Sequence, residues 1–276
     1  MTRFAAIGHV THDRLEAGLF PGGSALYAAL TAAGLGATAR IVTSCGPDFI
    51  GRQLLADAGV QLQIIASEHT TCFEERYRDG RRVARVLHQA KVLRAPLPEA
   101  DVILVCPVIG EIGLEALVPP PGALLGAGLQ GWTRRLDENG FVFPRPLENP
   151  ALFSNCRAVF CSDEDLGDFS KSAVESLLRT VALVVVTQGR HGALLYHNGA
   201  CHRIRACPAD EVDPTGAGDA FAASFLLALA SGESPVRAAA NAACAAAIAI
   251  EAPGPEGLTG LARFQDRLAR YQQSDD

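Results

Sequence analysis

The chain has 276 residues, 24 of them basic and 30 acidic, for a formal charge of −6. No basic stripe or block of like charge runs through it, which argues against a duplex nucleic acid as partner. Its longest apolar runs, such as Ala242–Ile250, reach about half a membrane span, so no membrane segment is expected. The amino terminus lacks a signal peptide's apolar region, and the eight cysteines form no CxxC pair. A soluble, cytoplasmic protein with reduced, mostly buried cysteines is expected.

In chain order, Phe4–Val10 reads as a short buried strand. A polar interval follows, then Pro21-Gly22-Gly23-Ser24 and an Ala/Leu run over Ala25–Gly34 at helical spacing, with Ser24 as its expected N-cap. Arg40–Cys45 is a second apolar strand, and Phe49–Ala58 a helix that ends near Gly59. This alternation predicts a parallel sheet covered by helices. Gln61–Ile65, Thr70–Arg78 and Arg82–His88 alternate polar with apolar residues, and Asp79-Gly80 is hairpin-turn chemistry. They predict an antiparallel flap over roughly 61–90, half solvated and set apart from the main sheet. Strands resume at Val102–Cys106, Ala123–Leu125, Ala158–Cys161 and Leu183–Thr187, with a helix over Ser172–Arg179. Ala193–Tyr196 and Cys201–Arg205 flank His197-Asn198-Gly199 as a second hairpin. The end is helical, over Gly216–Ala230, Pro235–Glu251 and Leu261–Gln272. Residues 1–276 thus read as one α/β domain with a small β flap.

Gly126-Ala-Gly128-Leu-Gln-Gly131 spells GxGxxG, but turn chemistry follows it instead of a helix, so it reads as a loop after a strand. No GxxxxGK[ST] or GxSxG occurs, which removes a P-loop and a hydrolase elbow. His9 and His12 beside Asp13 lack further ligands for a metal. The informative segment is Val212-Asp213-Pro214-Thr215-Gly216-Ala217-Gly218-Asp219. Asp213 and Thr215 are turn and cap residues. Gly216 and Gly218 admit a ligand close to the backbone, and the helix that follows aims free N–H groups at it, which builds an anion site. Asp219, an acid at the rim of that site, has two readings. It takes the proton of a bound hydroxyl while the site holds a transferring phosphoryl group, or it merely favours the helix dipole.

This segment resembles the D-T-x-G-A-G-D signature of the ribokinase-like (PfkB) carbohydrate kinases, with a proline in place of a first threonine. Asp13 after the first strand, Gly22-Gly23 opening the first helix and Gly46-x-Asp48-x-x-Gly51 resemble the family's amino-terminal pattern. Thr187-Gln-Gly189-x-x-Gly192 resembles its T-x-G-x-x-G nucleotide loop, and the flap falls where these enzymes carry a β lid. The resemblance covers nearly the whole chain. It implies a ribokinase-like three-layer fold, with a mostly parallel central sheet flanked by helices, and an ATP-dependent kinase acting on an alcohol of a sugar or cyclitol. Asp219 would be the catalytic base, and Gly216, Ala217 and Gly218 the anion hole. Asp13, Gly22 and Gly23 would hold the acceptor's hydroxyls, while Thr187, Gly189, Gly192 and Asn241 would line the ATP site.

Asp213 and Thr215 match family positions that can hold a monovalent cation such as K+. The family's N-x-x-E, tied to Mg2+ and phosphate, reads Ser162-Asp-Glu-Asp165 here, which leaves Asp165 as the acid acting on Mg2+ through water. Tyr27 stands near a common asparagine position, which argues against a ribose-type pocket. Thr71-x-Phe73-x-x-x-Tyr77-x-Asp-Gly80-x-Arg82, Cys106-Pro107-x-x-Gly110-Glu111 and Gln130-Gly131-x-x-Arg134 resemble the myo-inositol kinase-like branch. A homodimer through the lid is the one macromolecular partner in view. Two alternatives stand: a nucleoside kinase of the same family, which wants an aromatic sandwich for a base, and a non-catalytic sugar or nucleotide sensor, which has no use for Asp219.

Overall fold

Strands that are apolar on both faces belong in the middle of a sheet covered on both sides, and most strands of this chain are of that kind. A computed structural model describes residues 1–78, 81–113 and 117–273, with the backbone alone at 76–78, 81, 82 and 169. Strand β1 (Arg3–Ile7) leads to the hairpin β2 (Thr11–Leu15) and β3 (Gly18–Gly22), then α1 (Ser24–Gly34), β4 (Thr38–Cys45), α2 (Arg52–Asp57) and β5 (Gln61–Ala66). A second hairpin, β6 (Thr71–Arg78) and β7 (Arg81–His88), precedes β8 (Val102–Val105) and β9 (Leu124–Gly128). The ribbon β10 (Arg134–Leu136) and β11 (Val142–Pro144) leads to β12 (Ala158–Ser162), α3 (Asp163–Leu166) and α4 (Ser170–Leu177). Then come β13 (Leu183–Thr187), β14 (Ala193–His197) and β15 (Ala200–Ile204), and finally α5 (Ala217–Ala230), α6 (Pro235–Ala249) and α7 (Phe264–Gln273).

Nine strands form one sheet in the order β15-β14-β13-β12-β9-β8-β1-β4-β5. Neighbours from β13 to β5 are parallel; β14 and β15 pair antiparallel. Alternation along β1 shows why both faces are covered. Phe4 and Ala6 enter an apolar layer shared with α1, α5 and α6, whereas Ala5 and Ile7 enter a second layer with Trp132, Phe153, Val174 and Leu177. The result is the three-layer ribokinase-like arrangement. Strand succession reverses at β1, with β4 and β5 on one side and β8, β9, β12 and β13 on the other. At such a switch point the loops leaving the carboxyl ends diverge and open a crevice.

The flap differs from the expectation at both of its borders. Gln61–Ile65 does not belong to it: β5 pairs in parallel with β4, from Arg40↔Gln61 to Cys45↔Ala66, as the edge of the main sheet. Its alternation comes from being an edge, half exposed along its length. The flap gains instead the stretch read as a polar interval. β2 pairs with β3 and runs parallel to β6, giving a separate four-stranded sheet, β3-β2-β6-β7. β1 accordingly ends at Ile7, short of Val10, and Asp13 lies on a flap strand. α2 starts at Arg52, later than the expected Phe49. The expected Asp79-Gly80 turn lies outside the described residues.

Ser24 does not cap α1. Gly23, at φ 97, is the N-cap, and Ser24 is the first helical residue. His9 is no metal ligand candidate either, because its ring is already held: Nδ1 lies 2.7 Å from Thr71 Oγ1 and Nε2 2.9 Å from Lys91 O. Among the described residues, no group of three His, Cys, Asp or Glu could hold a metal. No helix among them is long and apolar enough to cross a membrane.

Candidate active site

Helix α5 starts at the crevice, and its two glycines answer to different demands. Gly216 is the N-cap, at φ 79, a conformation in which a side chain is strained. A Cβ on it would also collide with the Tyr27 ring, so the fold itself requires glycine there. Gly218 is different. A Cβ added to Gly218 meets nothing within 4 Å, so no neighbour in the protein excludes a side chain. Open space therefore lies against the first turn of α5, where backbone N–H groups have no helical partner and attract anions.

Asp219 occupies the same turn. Burial is the largest influence on its carboxyl and raises its pKa to about 7; a hydrogen bond from Ser24 opposes this, the Asp165 charge adds to it, and Arg134 opposes it. The residue as a whole is only half-buried, so a desolvated acid still borders the open crevice. Such an acid is poised to exchange a proton near neutral pH. The Ser24 hydroxyl also lies 3.4 Å from Gln130 Oε1. Ser24 thus serves the site instead of the helix end.

Asp165 is braced on both sides. Ser162 Oγ accepts the Asp165 N–H at 2.9 Å and donates to Asp165 Oδ2 at 2.8 Å, a capping arrangement for α3. Arg134 Nη2 donates to Asp165 Oδ1 at 3.0 Å. β10 thereby brings a guanidinium beside Asp165 and within electrostatic reach of Asp219.

Tyr27 reports which charges converge near it. Its pKa is raised by burial first, then by the charges of Asp13, Asp213, Asp219 and Glu75. The charges of four carboxylates, from β2, the loop before α5, α5 itself and the flap strand β6, therefore reach one phenol. Thr11 Oγ1 donates to Asp13 Oδ1 at 3.0 Å, and a Cβ on Gly22 would strike that carboxylate. A Cβ on Gly23 would stand 2.5 Å from His9 O. Phe73 of β6 is buried with Val108 and Ile109. The loop after β8 is fixed by Glu111, a fully buried carboxylate that accepts N–H groups from His9 at 3.1 Å, Val108 at 2.8 Å and Ile109 at 2.8 Å.

Thr187 ends β13 directly beside Ser162 in the register and donates to Cys161 O at 3.3 Å. Gly189 and Gly192 make the turn into β14, closed by Gln188 N–H to Gly192 O at 2.8 Å. Asn241 is half-buried on α6. Asp213 accepts N–H groups from Thr215 at 2.9 Å and Gly254 at 2.8 Å, so it ties the loop before α5 to the loop after α6. Charge interactions link Asp13, Asp213, Asp219 and Asp165 in one neighbourhood, whereas Gly189, Gly192 and Asn241 are held by other elements. Ser24, expected as a helix cap, and Tyr27, read only as replacing a common asparagine, join the site together with Glu75, which no motif contained, and Arg134, which stood in a motif without a role.

The sequence profile of the pfkB family carbohydrate kinases matches residues 8–259. The chain belongs to that family and has the ribokinase-like fold. Among its relatives, the cytidine kinase of Thermococcus kodakarensis is 29% identical, with 82% of this chain and 88% of that one covered. The inositol 3-kinase of Oryza sativa subsp. japonica is 50% identical over 56 residues, 20% of this chain; the match spans only 14% of the rice protein's length. A structure from the conversion of a pyrophosphate-dependent myo-inositol-1 kinase into a myo-inositol-3 kinase by two substitutions superposes with a TM-score of 0.78 at 21% identity, covering 96% of this chain and 99% of the other. The Arabidopsis thaliana ribokinase solved with ribose and ATP gives 0.75 at 18% identity, covering 97% and 98%. At these identities the two structures establish the fold.

Proposed function

We propose that the protein is an ATP-dependent kinase that phosphorylates a hydroxyl of a neutral polyol, a sugar or a cyclitol, with Asp219 as the base. One observation carries this: a desolvated acid stands in the helix turn whose Gly218 faces open space. Asp13, with the backbone at Gly22 and Gly23, holds acceptor hydroxyls. Asp219 takes the proton of the attacking hydroxyl as its oxygen bonds to the terminal phosphorus and the bridging P–O bond to ADP breaks. The N–H groups of the Gly216–Gly218 turn and the Arg134 guanidinium stabilise charge on the group in transit. Thr187, Gly189, Gly192 and Asn241 hold the nucleotide.

Asp165 fits a place in the water shell of Mg2+. Each of its oxygens has one protein partner and keeps a lone pair, and a Mg2+ ion commonly relies on donor phosphates and water with one carboxylate. When bound, Mg2+ neutralises phosphate charge. A monovalent cation at Asp213 and Thr215 would act on the loop that Asp213 already ties to Gly254; replacing K+ by Na+ in the assay tests it. The carboxylates of Asp13 and Glu75 near Tyr27 favour an uncharged, hydroxyl-rich acceptor over a sugar acid. Phe73 is buried against Val108 and Ile109.

The nucleoside reading is favoured by the cytidine kinase similarity, which spans most of both chains. An assay of ADP release over myo-inositol, ribose, fructose, cytidine and adenosine, with Mg2+, separates the two. Turnover of a neutral polyol, abolished by Asp219→Asn, is the expected result. A kcat/KM for cytidine about tenfold above every polyol transfers the assignment to nucleosides. Binding without turnover points to the sensor. Pyrophosphate in place of ATP tests the donor.

A further inference from the structure

The hairpin β6–β7 is entered at Thr70-Thr71 and left at Ala90-Lys91, and both ends are held by buried polar groups that the kinase reading does not use. Thr70 and Thr71 are fully buried, and the two reach different neighbours. The Thr70 hydroxyl accepts the Gly46 N–H at 3.2 Å and donates to Asp48 Oδ1 at 2.7 Å, both in the loop between β4 and α2. The Thr71 hydroxyl accepts the Ala90 N–H at 3.0 Å and lies 2.7 Å from His9 Nδ1. On the other side of the ring, His9 Nε2 lies 2.9 Å from Lys91 O. A carbonyl oxygen only accepts, so Nε2 carries the ring proton and Nδ1 is left to accept from Thr71. One fully buried imidazole therefore holds the entrance of the hairpin at one nitrogen and its exit at the other.

The main chain of His9 is engaged as well. Its N–H donates at 3.1 Å to Glu111, the buried carboxylate that also takes the N–H groups of Val108 and Ile109, and Phe73 of β6 is buried with those two residues. Its carbonyl oxygen is the atom that a Cβ on Gly23 would meet at 2.5 Å. A single residue thus joins both ends of the hairpin, the loop after β8 and the glycine turn before α1. We propose that His9 is a positioning residue, whose imidazole clamps the flap at a fixed place over Asp13 and the Gly22–Gly23 turn and so sets how the acceptor is held. The link to Asp13 is direct, because β2 pairs with β6 from Thr11↔Thr71 to Arg14↔Glu74, with Asp13 opposite Phe73. Apolar contacts alone would let the hairpin slide, whereas a satisfied buried hydrogen-bond network admits one arrangement. Loss of the Thr71 hydroxyl leaves both His9 Nδ1 and the Ala90 N–H without it, which loosens the two ends together. The effect on the acceptor rests on the kinase reading; the clamp does not.

The test compares two variants of the full chain: Thr71→Val, which keeps the shape and removes the hydroxyl, and Thr71→Ser, which keeps the hydroxyl. Amide hydrogen exchange without any ligand, read by mass spectrometry, should quicken about tenfold in β6 and β7 of Thr71→Val, while β9, β12 and β13 exchange as in the parent. Thr71→Ser should return the flap to the parent's rate. In the ADP-release assay, Thr71→Val should raise the acceptor KM about tenfold and leave the nucleotide KM near that of the parent, and Thr71→Ser should recover most of the loss. Flap exchange equal to the parent's overturns the proposal, and so does exchange quickened equally in the flap and the main sheet. A quickened flap with an unmoved acceptor KM overturns the positioning role. If Thr71→Val does not fold, the Ala90 amide of the parent decides: exchange as slow as in the main sheet supports the clamp, and exchange as fast as in exposed loops overturns it. A parent that turns over no acceptor strikes the kinase reading, and the exchange comparison still judges the clamp.

Discussion

Asp219 titrates near pH 7 in the folded protein but near the ordinary carboxylate value in the unfolded chain. Below about pH 4 it is protonated in both states and folding is not penalised. As pH rises, the unfolded chain releases the proton first, so stability is lost up to about pH 7 and the full penalty stands above it. Asp219→Asn should therefore raise the melting temperature at pH 8 by a few degrees, equivalent to about 1–2 kcal/mol after solvent screening, and change little at pH 4. The same change should lower kcat about 10²–10⁴-fold, and the parent's kcat/KM should climb to a plateau through about pH 7. Retention of more than about a third of kcat would remove Asp219 as base. Gly218→Ala separates fold from function in the same turn. With nothing within 4 Å of the added methyl, stability should hold or gain up to about 1 kcal/mol, whereas kcat/KM should fall at least about tenfold because the methyl enters the phosphoryl space. A stable and fully active Gly218→Ala protein would show that the space serves something else. This glycine–acid turn was legible in sequence because turn and cap chemistry is local. Ser24, Glu75 and Arg134 were not, since they reach Asp219 and Tyr27 only through tertiary packing.

The short helix α3 illustrates the same limit one level up. Ser162 and Asp165 form a capping pair whatever their catalytic role, so the sequence alone leaves structural and metal readings superimposed. Asp165→Ala should raise the Mg2+ concentration for half-maximal activity several-fold while leaving the acceptor KM near that of the parent. Superimposable Mg2+ titrations would make Asp165 a capping and Arg134-bracing residue only. The strand–helix alternation gave the parallel sheet correctly, since both-face burial writes a continuous apolar run. It misjudged β5, because an edge strand and a solvated ribbon carry the same alternation and pairing partners are not encoded locally. It missed β2 because that strand pairs with β6, distant in sequence, and with it β3, which is the hairpin partner of β2. The flap buries Phe73 against Val108 and Ile109, and the charge of its Glu75 reaches Tyr27, so on the proposed function it should act as a lid. Replacing residues 76–82 by a Gly-Gly turn should raise the acceptor KM and the ratio of ATP hydrolysis to transfer, because water gains access. The melting temperature should move little, since both large apolar layers lie on the main sheet. An unchanged hydrolysis ratio, or global unfolding, would count against a lid.

The molecule as a whole has one sheet closed between helices and a second, thinner sheet whose edges must be managed separately. At one edge, β7 is covered: Val86 N–H bonds Gly140 O at 2.8 Å and Arg85 bridges Phe141. At the other, β3 is the outermost strand, and its hairpin leaves Leu15, Leu19 and Phe20 exposed at 38%, 41% and 38%. Apolar side chains along a sheet edge invite pairing with another strand unless something covers them. We propose that a second copy of this chain does so, the two lids packing through their β2–β3 hairpins. Light scattering after size exclusion should give twice the chain mass at about 10 μM, with dilution releasing monomer. Leu19→Lys combined with Phe20→Glu should yield monomer with an unchanged far-ultraviolet spectrum, because neither side chain belongs to the main sheet's layers. The monomer should show a raised acceptor KM with the nucleotide KM near that of the parent, since the lid borders the acceptor and not the β13–β14 turn. A parent that stays monomeric to about 100 μM, or a double variant that remains dimeric, would place the dimer contact elsewhere or remove it.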